Sequence, residues 1–151
     1  MNGPTRRERI TAEITARTGI DESVIERLVR SFYLRVQEDA LLGPVFNARI
    51  VDWESHLQRM FSFWHSVTLM SGTYKGQPME KHQPLPVDAN HFDRWLELFE
   101  ETAQAICEPE AAKHFVSRAR MIAESLEFGI AAGHGVVLAP GKRYLMADTP
   151  D

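Results

Sequence analysis

A single cysteine, Cys107, occurs in 151 residues. That scarcity excludes an intramolecular disulfide and a thiolate zinc cluster, and it fits a reducing compartment, so a cytoplasmic location is expected. Long apolar runs are missing too: none approaches the roughly 18 residues a membrane helix needs, and the first residues lack a signal peptide's apolar stretch. No membrane partner is expected. Basic charge is in deficit, with 17 Lys and Arg against 21 Asp and Glu for a net charge of -4. That balance argues against a general nucleic-acid surface, which needs clustered Lys and Arg. Strand signals are nearly absent, because β-branched residues are scattered and no hairpin dipeptide divides two alternating runs. No HExxH motif occurs, no internal repeat is visible, and the carboxylates sit mostly on polar helix faces without forming an acid/base pair.

What remains is helical period. The length suits one domain spanning 1–151, large enough to bury a core without staples. A first helix is predicted over about 5–18, ending before Gly19. Asp21 caps a second, DESVIERLVRSFYLRVQEDA, which stops before LLGPVF because Gly43 and Pro44 break the pattern. A third begins near Val51 or Asp52 and runs to about Ser71, where Gly72 ends it. The stretch TYKGQPMEKHQPLPV, with Pro78, Pro84 and Pro86, permits at most a turn or two of helix around His82. Asp88 caps a fourth long helix, DANHFDRWLELFEETAQAIC, and Pro109 opens a fifth that closes at Gly133. From about Gly141 the chain reads as a loose, flexible tail.

At about 100° per residue, His56, Met60, Phe63, Trp64, Val67 and Met70 share one side of the third helix, facing the core, while His65 lies opposite. The second helix groups Val29, Tyr33, Val36 and Ala40, with Phe32 alongside. The fourth aligns Phe92, Trp95, Phe99, Thr102 and Ile106. Three large side chains with polar tips, Tyr33, His56 and Trp95, therefore point inward from three helices, and each needs a partner there. A backbone carbonyl or a buried water would satisfy any one of them alone. A cavity containing a small polar ligand would satisfy all three, with Tyr and Trp donating and His donating or accepting.

His82, on its proline-bounded segment, reads in isolation as a solvent-facing loop histidine. Combined with the inward trio, it is placed to approach a flat cofactor from the side opposite the third helix, and neutral imidazole is a standard axial ligand for haem iron. His91 competes for that role but sits at a helix's first turn, and His114 and His134 show no zinc-type spacing. The alternative is a haem-free helical interaction module in which the aromatics are only core.

The segments FYLRVQEDALLGPVF (32–46), WESHLQRMFSFWHSV (53–67), YKGQPMEKH (74–82) and FDRWLELF (92–99), in that order, resemble the group III truncated haemoglobins. The resemblance implies an all-α, 2-over-2 helical sandwich around haem b, with the proximal-side helix cut to about one turn. It implies His82 as the proximal iron ligand and Tyr33, His56 and Trp95 as the distal trio. By the same resemblance Phe46 packs on the haem, and Phe32, Met60, Phe63, Trp64 and Phe92 line its pocket. Arg59 is either a propionate partner or a solvated arginine. The glycine motifs that mark groups I and II of the family are absent.

Two buried donors contributing on the order of 1 kcal/mol each would slow ligand release roughly tenfold or more. Tight binding suits redox chemistry or sensing better than oxygen transport. The expected small ligands are dioxygen, nitric oxide, carbon monoxide and peroxide. Nitric oxide dioxygenation and peroxide reaction are the candidate activities, and turnover would need an electron donor that the sequence does not identify.

Overall fold

The computed structural model describes residues 3–149, and all its regular elements are helices. Helix α1 (Arg6–Thr18) is capped by the Thr5 side chain and closed by Gly19 at φ 77°, a left-handed position that glycine adopts without strain. Helix α2 (Glu22–Glu38) starts where Asp21 accepts from the Val24 N–H at 2.9 Å. It buries Ile25, Leu28, Val29, Phe32, Tyr33 and Val36 along one face.

Gly43 and Pro44 do not merely break the helical pattern, as expected from the sequence; they open a short helix, α3 (Gly43–Arg49). Proline lacks the N–H that a helix's first turn leaves unpaired, so it is tolerated there. Gly43 is needed for a different reason: an added Cβ would lie 2.7 Å from the Gln37 carbonyl oxygen, so α3 leaves α2 closer than any side chain permits.

Helix α4 (Trp53–Leu69) is capped by Asp52 through the Ser55 N–H at 3.2 Å. It ends two residues earlier than expected, with Met70 in the left-handed region at φ 58°. Met70 is consequently exposed rather than part of the inward stripe, and Leu57 is buried instead. Ala40, predicted inward, lies beyond the end of α2 and is likewise exposed. A single turn, α5 (Pro78–His82), carries proline at its start. Helix α6 (Ala89–Ile106) has a capping box built by Asp88 and His91. Helix α7 (Pro109–Gly133) turns back after a two-residue connection, and Met146–Asp148 form a last 3₁₀ turn.

Helix α2 packs on α4, α6 packs on α7, and α2 crosses α6 to join the two pairs. This is the two-over-two arrangement of a truncated globin. Two apolar clusters result. One gathers Phe32, Trp64, Phe99 and Phe115, and the other Val87, Phe92, Ile130 and Tyr144; Trp95 and Leu96 touch both. The Arg94–Asp39 ion pair at 2.7 Å and the bidentate Arg30–Glu54 pair at 3.0 and 2.8 Å fasten α2 to α6 and to α4.

Residues after Gly141 are not the loose tail the composition suggests. Tyr144 is fully buried, and Arg143 bonds to Glu127 and Asp93. Such anchoring has no period, so no helical or strand pattern announces it. Glu127 is also an exception to the solvated carboxylates, being 5% exposed.

Candidate functional site

Between the two apolar clusters lies a cavity of about 420 Å³, lined by residues from every helix from α2 to α7. Its size is that of a small-molecule or cofactor site. Helix α2 brings Tyr33, α4 brings His56 from its first turn, and α6 brings Trp95. The Tyr33 and His56 rings meet edge to face at 5.1 Å, and Trp53 closes on His56 at 5.7 Å. Phe46, Met60, Phe63, Trp64 and Phe92 complete much of the apolar wall, with Arg59 beside them.

Phe32 alone among the expected site residues does not line the cavity. It is fully buried and stands behind, edge-on to Tyr33 at 5.1 Å, to Trp95 at 5.5 Å and to Phe99 at 5.1 Å. The reason is angular: one residue along a helix is about 100° round it, so Tyr33 meets the cavity and Phe32 meets α6.

The polar atoms have unequal partners. His56 Nε2 is buried and, among the described residues, has no hydrogen-bond partner. Such an atom loses its water without recompense, a deficit of about 1–3 kcal/mol. Burial first, and then the neighbouring Arg59, His82 and Lys81, push the ring's pKa from 6.5 down to about 4, so His56 is neutral at pH 7. Burial alone raises the Tyr33 phenol above its usual 10.0, and it retains its proton.

His82 contrasts with His56. Its Nδ1 lies 2.6 Å from the Pro78 carbonyl oxygen, and since a carbonyl can only accept, Nδ1 carries the hydrogen. That leaves Nε2 as the ring nitrogen available to a ligand, the arrangement of a metal-ligating histidine whose other nitrogen is held by a backbone carbonyl. His91, the competing histidine, also lines the cavity, but its Nδ1 serves the α6 cap, accepting from the Asp88 N–H at 3.2 Å.

Several wall residues were not expected from the sequence. Ile122, Leu126 and Ile130 come from α7 at four-residue spacing, a stripe that the same helical arithmetic would have found. Tyr74 comes from an aperiodic loop and packs on Phe63 at 5.2 Å. Arg49, Arg59 and Lys81 give the cavity three cations from three helices, and no Asp or Glu lines it among the described residues.

These features fit a haem. The walls are apolar and aromatic, an imidazole has its Nδ1 held by a backbone carbonyl, cations are available for two propionates, and a buried polar atom on the same wall lacks a partner. Among the described residues no group of three or more His, Cys, Asp or Glu side chains could hold a metal ion.

Comparison with known proteins agrees with the geometry. The bacterial-like globin family model matches residues 16–127. A group 3 truncated hemoglobin of Campylobacter jejuni is 35% identical over 113 residues, covering 72% of this chain and 89% of that protein. The crystal structure of the group III truncated hemoglobin from Campylobacter jejuni matches with a TM-score of 0.66 at 36% identity, covering 71% of this chain and 88% of that one. The chain belongs to the group III truncated haemoglobins, a membership that implies the binding of haem and of small gaseous ligands.

Proposed function

We propose that the cavity holds haem b, that His82 Nε2 would be the protein ligand of its iron, and that the protein binds dioxygen, nitric oxide, carbon monoxide or peroxide for redox chemistry or sensing rather than for oxygen transport. The observation that carries this reading is the pairing of a His82 whose Nδ1 is held by the Pro78 carbonyl with an orphaned His56 Nε2 on the wall of one cavity. When bound, haem supplies an iron with an open coordination position for diatomic ligands and one-electron chemistry. Arg49, Arg59 and Lys81 are the cations available to its carboxylates.

Tyr33 keeps its proton and donates from its hydroxyl; Trp95 Nε1 only donates; neutral His56 donates or accepts at Nε2. Donors fixed in a dry pocket stabilise developing negative charge on a small ligand with no reorganisation. With a pKa of about 4, His56 is a weak base and holds an extra proton only transiently. Nitric oxide dioxygenation and peroxide reaction are the candidate activities. Turnover requires a one-electron donor, and the lone Cys107 supports placing this chemistry in a reducing cytoplasm.

Flash photolysis and stopped-flow release of dioxygen test the proposal. Tyr33→Phe and Trp95→Phe are each expected to speed release by about fivefold, corresponding to about 1 kcal/mol per hydrogen bond. Release rates equal to wild type in both variants would remove Tyr33 and Trp95 from the ligand site.

A further inference from the structure

The match to the globin family ends at Glu127, and that residue anchors the C-terminal segment beyond it. A buried carboxylate is stable as an ion only when paired and hydrogen-bonded. Arg143 supplies the pair, its Nε donating to the two Glu127 oxygens at 3.0 and 2.8 Å and its Nη2 donating at 2.7 Å. The same Nη2 reaches Asp93 on α6 at 2.8 Å, so one guanidinium ties α6 to α7.

Tyr144 extends the tie. Its N–H donates to Glu127 at 3.0 Å, and its carbonyl accepts from Ala89, the first residue of α6, at 2.7 Å. Its hydroxyl lies 2.6 Å from His134 Nδ1 and 2.5 Å from the Thr149 hydroxyl. The Met146 N–H then donates to Asp88, the α6 cap, at 3.1 Å. From Asp88 the backbone leads to His82 through two short turns, Val87 N–H to Leu85 carbonyl and Leu85 N–H to His82 carbonyl, each 3.0 Å. Tyr144 belongs to one apolar cluster with Val87, Phe92, Ala123 and Ile130, and all four of these line the cavity. The segment therefore stands one layer behind the wall next to His82.

We infer that residues 141–149 are a positioning arm for the cofactor, with Arg143 and Tyr144 holding the α6–α7 wall and the His82 connector in the geometry that retains haem. The inference rests on the proposed haem site. Neither residue touches the cavity; both act through Val87, Phe92 and the α6 cap.

The test is haem transfer from purified holoprotein to an excess of a high-affinity apoglobin, read together with the iron–histidine stretching band of the ferrous protein. Tyr144→Ala and Arg143→Ala are expected to release haem faster by on the order of tenfold, the scale of lost outer-shell support, and to shift or broaden that band. Tyr144→Phe keeps the ring and the main-chain bonds to Glu127 and Ala89 but loses the hydroxyl contacts, so its release rate falls between wild type and Tyr144→Ala. Arg143→Lys, which retains charge but not the planar fork, accelerates release by about threefold, and it serves if the alanine variants fail to fold. Ile25→Ala, in the other apolar cluster, is the control for stability alone. Release no faster in the arm variants than in Ile25→Ala at equal thermal destabilisation, with an unmoved iron–histidine band, would overturn the arm's role. A wild type that carries no haem would overturn the cofactor reading and this inference with it.

Discussion

Replacing His56 by leucine should make the protein more stable, and by more in acid than at neutrality. At pH 7 two terms compete. The orphaned Nε2 destabilises the fold by about 1–3 kcal/mol. The edge contacts of the imidazole with Tyr33 and Trp53 return about 0.5–1 kcal/mol each. At the centres of these ranges the orphan prevails by about 0.5 kcal/mol, which leucine, of similar volume and without a polar tip, recovers. The second contribution depends on pH. The unfolded chain takes up a proton near pH 6.5, whereas the folded ring refuses it until about 4; in that window the unfolded state binds more protons, so stability falls as pH falls. The full depression is equivalent to about 3 kcal/mol, which screening through the partly open cavity reduces to about 1–2 kcal/mol. Urea unfolding between pH 4 and 7.5, without added ligand, reads both effects. Wild type and variant should differ by about 0.5 kcal/mol at pH 7, with the gap widening toward pH 4. A variant less stable than wild type, or two curves that stay parallel, would refute the reasoning. A side chain that weakens the fold where leucine would strengthen it is what a ligand-binding group looks like energetically.

Particular contacts carry further consequences. Arg59→Gln removes the first of the positive charges that depress His56, so the ring's pKa, followed by NMR, should move up from about 4; an unmoved value would show that burial acts alone. Because burial raises the Tyr33 phenol, the unfolded chain ionises before the folded one, and stability should fall as pH climbs past 10. Tyr33→Phe should blunt that alkaline loss, and identical alkaline unfolding would contradict it. Gly43→Ala drives a Cβ against the Gln37 carbonyl and should destabilise by about 1–3 kcal/mol. Gly129→Ala meets only the flexible end of Met79 and should cost about half of that or less, so equal losses in denaturant midpoint would overturn the distinction.

The long helices are legible in the sequence because their caps and periods are local: Asp21, Asp52 and Asp88 each accept from a backbone N–H of the first turn they begin. The inward side chains Tyr33, His56 and Trp95 follow from the same period, and the structure brings them to one cavity. Phe32 is harder to place because sharing a buried face does not decide which neighbour a side chain meets. Helix α3 is hidden while Gly43 and Pro44 are read as breakers, since their position at a start makes them permissive. Residues 141–149 are least legible of all, because Arg143 and Tyr144 are fixed by tertiary partners far along the chain, at Glu127, Asp93 and Ala89, which no local window contains.

The central claim is that the His82 imidazole is the protein ligand of a haem. Resonance Raman spectroscopy of the ferrous, ligand-free protein addresses it most directly. The account predicts a Soret-enhanced iron–histidine stretching band in the wild type that disappears in His82→Gly and returns, shifted, when free imidazole is added. A band that survives the His82→Gly substitution unchanged, or a wild type without any Soret absorption, would contradict it.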